Sequence, residues 1–111
     1  MTIYDRPTDF PSYQHLKVGD IFVWFVGKEN EYDEAGIRQV HGHWFQVTYK
    51  EPRVAEISAK CLRCDRPKKV SCNGAENQEW RIGWSKLQHE QHKTRWLRTP
   101  ASKVLFGERL V

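Results

Sequence analysis

No stretch of this 111-residue chain approaches the roughly 20 consecutive apolar residues a helix needs to cross a bilayer, so no helical membrane span is expected within it. The elements of most familiar catalytic sites are missing as well. Gly19, Gly27, Gly36, Gly42, Gly74, Gly83 and Gly107 assemble neither a phosphate loop nor a dinucleotide fingerprint. Ser58, Ser71, Ser85 and Ser102 lack the G-x-S-x-G context that strains a nucleophile into exposure. The acids Glu29, Glu31, Asp33 and Glu34 do not follow the order of a calcium loop, and Glu90 between His89 and His92 does not make a metalloprotease helix. There is no internal repeat, low-complexity tract or linker. With only three cysteines, the odd count speaks against a secreted disulfide framework. Asp5 and Pro7 stand where a signal peptide would carry its apolar stretch, so the expected location is cytoplasmic. These absences lead to the expectation of a non-enzymatic protein that acts through a surface.

What is present begins with charge. The formal net charge of +4 conceals an asymmetry: residues 1–36 hold three basic and seven acidic side chains, whereas residues 37–111 hold fifteen basic and seven acidic ones. If the basic groups converge on one face, they steer the domain toward a polyanion or an acidic protein; scattered, they keep it soluble.

The chain reads as one domain over residues 1–111, with residues 1–15 as a proline-containing N-terminal arm. In that arm Pro7 and Pro11 lie between Tyr4, Phe10 and Tyr13, aromatics expected to be pinned to the body. The β-branched and aromatic run Ile21 to Val26 predicts a strand, apolar at both parities and therefore central, covered on both sides or curled within a barrel. Gly27 to Gly36 reads as an exposed acidic loop. A second strand is expected from Gln39, with Phe45, Val47 and Tyr49 sharing the core-facing parity until Pro52 ends it. Residues 54–62 fit either helical spacing or a third strand, and a third strand is preferred because a small sheet needs another member.

Asp65 to Lys69 and Asn73-Gly74 predict turns. Trp80, Ile82 and Trp84 alternate with Glu79, Arg81 and Gly83 as in a half-buried strand. Ser85 and Gln88 have the spacing of a helix cap, although a polar loop leading into a strand near Thr94 to Leu97 fits equally. Val104 to Phe106 is expected to close the core. The expected fold is mainly β, a small antiparallel barrel or roll of SH3-like size with room for one short helix.

Cys61-Leu62-Arg63-Cys64 is a C-x2-C pair, followed by Cys72. Thiolates two residues apart can turn back onto one ion, and a structural zinc site built on Cys61, Cys64 and Cys72 would draw its fourth ligand from His41, His43, His89 or His92, or leave that position to water. Arg63, Arg66, Lys68 and Lys69 would stabilise the thiolates. The plainer reading keeps the cysteines as small buried thiols and the histidines as residues of half-buried aromatic borders. Thioredoxin-like redox chemistry is not expected, because the pair does not open a helix in a βαβ unit.

A nucleic-acid surface is the leading functional expectation. Lys60, Arg63, Arg66, Lys68 and Lys69 form one basic stretch, and Arg81, Lys86, Lys93, Arg95 and Arg98 form another, interleaved with Trp80, Trp84 and Trp96. Such cations neutralise phosphates and exposed aromatics stack on unpaired bases, in DNA or RNA. Against this, the parity of Trp80 and Trp84 assigns those two rings to the core, leaving Trp96 as the accessible ring. The alternative is a protein-interaction adaptor or inhibitor that self-associates as a homodimer or binds another protein, since Trp and Arg concentrate at interface centres.

Overall fold

The computed structural model describes residues 2–4, 12–24, 31–40, 42–64, 78–92, 94–96 and 105. Eight strands and one helix lie within them: β1 (Ile3–Tyr4), β2 (Ile21–Trp24), β3 (Glu31–Tyr32), β4 (Arg38–Val40), β5 (His43–Lys50), β6 (Glu56–Cys64), β7 (Glu79–Gly83), α1 (Trp84–His92) and β8 (Thr94–Trp96). The larger sheet has the order β1-β2-β5-β6-β7 and the smaller one β3-β4-β8. The fold is mainly β with one short helix. It departs from the antiparallel expectation, because β1 runs parallel to β2 and β4 parallel to β8. The cause lies in the connections. Each parallel partner is far along the chain from its mate, so neither pair is a hairpin. Among the described strands, no pairing joins β1 to β7 to close a barrel.

β2 is buried at all four positions, as a strand apolar at both parities requires. It lies between β1 and β5, with Phe22 opposite Phe45 and Val23 opposite Trp44. Phe22 and Phe45 stack at 5.8 Å between centroids, with Trp24 tilted against Phe45 at 5.9 Å. The same face continues through Val47, Ala59 and Cys61 to Ile57 and Ile82, all buried. The ambiguous stretch 54–62 resolves in favour of strand from Glu56 onward, within β6, with Val54 and Ala55 as bends before it. The expected second strand divides before Gly42: Arg38–Val40 joins the smaller sheet and His43–Lys50 the larger. The acidic segment is not loop throughout, since Glu31 and Tyr32 pair with β4. Its turn is built on Asp33, whose Oδ1 accepts the amides of Ala35 and Ile37 at 2.9 Å each.

α1 begins at Trp84, one residue before the expected Ser85 cap, and anchors itself through Leu87, which is fully buried. Trp84 thereby leaves the strand assigned to it, while its ring meets Tyr13 edge-on at 5.7 Å. The Tyr13 hydroxyl in turn has carbonyls of the β5–β6 connection within reach, Glu51 at 3.1 Å and Glu56 at 3.2 Å. Lys50 Nζ lies over the Tyr13 ring at 4.2 Å and donates to its carbonyl.

Asp20 joins the N-terminal strand to this body. Its buried carboxylate accepts the Thr2 amide at 3.0 Å and the Lys17 amide at 2.9 Å, and the Thr2 carbonyl accepts the Ile21 amide. Gly19, at φ +96°, makes the tight approach that lets its amide reach the Val47 carbonyl at 2.8 Å. Asp20→Ala is expected to cost about 1–3 kcal/mol by stranding those amides, read as a lower urea midpoint at unchanged m. A Cβ on Gly19 meets nothing within 4 Å. Gly19→Ala should therefore cost about 1–2 kcal/mol through backbone conformation alone; a loss near zero in the same titration would refute the assigned backbone.

Candidate functional site

Directly opposed residues of an antiparallel pair share a face, so the register of β5, β6 and β7 defines an outer row-by-row surface. Trp44 is opposite Arg63. Gln46, Lys60 and Glu79 form the next row, and Tyr49, Ser58 and Arg81 the one after. Lys60, Arg63, Glu79, Arg81 and Tyr49 are exposed, and Gln46 and Ser58 half-buried. Only Trp44, at one end, is fully buried.

Two irregularities in the β5–β6 ladder decide this arrangement. Between Trp44 and Phe45 the partner shifts from Arg63 to Cys61, leaving Leu62 as the extra residue of a bulge; between Val47 and Tyr49 the partner shifts from Ala59 to Ser58, leaving Thr48 extra. Without the first, Lys60 and Arg63, three apart, would take opposite faces. Without the second, Tyr49 would follow Val47 inward. Instead Val47 is buried and Tyr49 is 51% exposed, which corrects the expectation that Tyr49 faces the core. Thr48 holds its place by a hydroxyl shared between Glu79 Oε1 at 2.7 Å and the Ser58 carbonyl at 3.1 Å.

The face carries both signs. Arg81 Nε lies 3.0 Å from Glu56 Oε1, a pair with side chains 75% and 33% exposed and so only weakly stabilising. Of the basic residues expected to bind nucleic acid, Lys60, Arg63 and Arg81 meet here, and Lys86 is exposed on α1. Arg95 and Trp96 belong to β8 in the smaller sheet. Arg66, Lys68, Lys69, Lys93 and Arg98 lie outside the described residues.

Trp80 is half-buried against the core from β7, as its parity implied, and Trp84 is half-buried against it from the first position of α1. Sequence reasoning did not place Tyr49 on this face, because Tyr49 shares the parity of Phe45 and Val47.

Of the expected metal ligands, Cys61 is buried, with His43 Nδ1 3.7 Å from its Sγ. Cys64 has its backbone opposite His43. Cys72 and His41 lie outside the described residues, and His89 is exposed on α1. The chain matches no protein-family model, no curated protein and no solved structure.

Trp80 Nε1 is buried without a hydrogen-bond partner among the described residues. Removing such a donor offsets part of the lost ring area. Trp80→Phe is expected to change stability by less than about 1 kcal/mol, measured by urea denaturation; a larger loss would mean that the indole N–H is satisfied.

Proposed function

We propose that this protein is a small non-enzymatic nucleic-acid-binding module that holds single-stranded DNA or RNA across the outer face of β5, β6 and β7. One observation carries the reading: an aromatic ring, Tyr49, is about half exposed on the same face as three exposed cations, Lys60, Arg63 and Arg81.

The chemistry follows from that combination. Adjacent strands are about 4.8 Å apart, so three of them give a platform about 10 Å across, wide enough for one nucleic-acid strand. Every base has a π-face, and stacking on a tyrosine demands an unpaired base without selecting its identity. Lysine and arginine contact phosphates and release condensed counterions, which makes binding salt-dependent. Tyr49 and Arg81 share a row through Ser58, with Lys60 and Arg63 farther along β6, so phosphate contacts flank the ring on one side. Glu56 and Glu79 on the same face limit the field. They favour modest affinity and penalise misplacement of phosphates over the carboxylates.

Fluorescence anisotropy with labelled single-stranded and duplex oligonucleotides, titrated with salt, tests the proposal. Saturable single-strand binding is expected, weakening steeply with salt. Tyr49→Ala should weaken it about 5- to 150-fold, the equivalent of one lost stacking contact. Replacing Lys60 and Arg63 together with glutamate should weaken it further and lower the salt slope by about two. Glu56→Gln should strengthen it by freeing Arg81. Absence of single-strand binding at low salt, or equal affinity of Tyr49→Ala, would overturn the proposal and put a protein partner or self-association in its place.

A further inference from the structure

We infer that the outer edge of β7 pairs with the same edge of a second copy of this chain, antiparallel and two-fold symmetric, with Glu79 of each copy opposite Arg81 of the other. The inference stands whether or not the outer face holds nucleic acid. It rests on the direction of the backbone groups of β7 and on the order of its charges.

β7 ends the larger sheet, and no described strand pairs with it on the side away from β6. Its backbone directions follow from the bonds at the two ends of the β6–β7 ladder: the Cys61 amide donates to the Gln78 carbonyl at 2.9 Å, and the Trp84 amide to the Ala55 carbonyl at 2.8 Å. Bonding alternates along an antiparallel pair, so Gln78, Trp80, Ile82 and Trp84 turn their amides and carbonyls toward β6. Glu79, Arg81 and Gly83 turn theirs away from it. The register with β6 is regular throughout, without a bulge, and β7 contains no proline. Its core-side residues, Trp80 and Ile82, are apolar. These are the features of an edge open to another strand.

Charge selects the occupant and the register. Residues directly opposed in an antiparallel pair share a face, so a second β7 sets outer-face residues against outer-face residues. Opposing Arg81 to Arg81 of the second copy, or Glu79 to Glu79, brings like charges together. The register between those two sets Glu79 opposite Arg81 on both sides of the two-fold axis. Both residues have outward-facing backbone groups, so each of these pairs also exchanges its main-chain hydrogen bonds. The axis then passes through Trp80, which is half-buried, and sets it against Trp80 of the second copy in the non-hydrogen-bonded position, where side chains come closest. The opposite edge of the sheet, β1, is two residues long, and an isologous β7 contact closes as a dimer.

Sedimentation equilibrium of the full chain, freed of nucleic acid and taken up to about 1 mM, tests the pairing. A reversible monomer–dimer equilibrium is expected. Glu79→Arg and Arg81→Glu each set like charges opposite one another at both pairs and should weaken the dimer about 10-fold or more. An equimolar mixture of the two variants restores both opposite-charge pairs and should form a heterodimer about as tight as the unaltered dimer. Glu34→Arg makes the same charge change on the turn after β3 and should leave the dimer as it is. Circular dichroism establishes that each variant is folded. In the unaltered chain, the Glu79 and Arg81 amides should exchange more slowly with solvent as concentration rises. A monomer at every concentration would leave the edge to a strand of another protein and overturn the inference. So would amide exchange independent of concentration, association that neither charge reversal weakens, or a mixture of folded variants that stays monomeric.

Discussion

β5 is hydrogen-bonded along both its edges, to β2 on one side and β6 on the other, and its register with β6 governs which side chains are inside the protein. Because side chains alternate faces with a period of two, each extra residue in one strand reverses the facing of everything beyond it. β5 and β6 each contain one such residue, Thr48 and Leu62. The core from Phe22 through Phe45 to Cys61, and the outer row from Tyr49 to Arg81, both depend on those two positions.

The same pair of irregularities links the surface to the interior. Leu62 aligns Arg63 with Lys60 on the outer face, and Thr48 turns Tyr49 outward beyond the buried Val47. A bulge also increases local twist and bends its strand.

Elsewhere the protein is held by polar ties between segments distant in sequence. Asp20 gathers the amides of Thr2 and Lys17, and Tyr13 reaches the connection between β5 and β6 while packing against Trp84 at the start of α1. These ties bring the N-terminal segments to both ends of the larger sheet. They also explain why a nine-residue helix anchored through the fully buried Leu87 can persist: its first residue is packed from outside, and its own propensity contributes little.

Local pattern was sufficient for much of the fold. The dense apolar run at Ile21 determined a strand covered on both faces, Trp80 and Ile82 determined a half-buried strand, and Pro52 marked the end of the second β segment. Composition placed the cations in the C-terminal two-thirds and the thiols at C-x2-C spacing. What only the tertiary structure decided was register: that Tyr49 turns outward, that Arg63 joins Lys60, and that His43 is the imidazole beside Cys61. The physical reason is that a bulge is stabilised across the sheet, by hydrogen bonds such as that of Thr48 to Glu79, so it leaves no mark on the alternation of the strand that contains it. The parallel pairings of β1 with β2 and β4 with β8 were hidden for the same reason, since they join segments whose proximity comes from the folded body and not from a local turn.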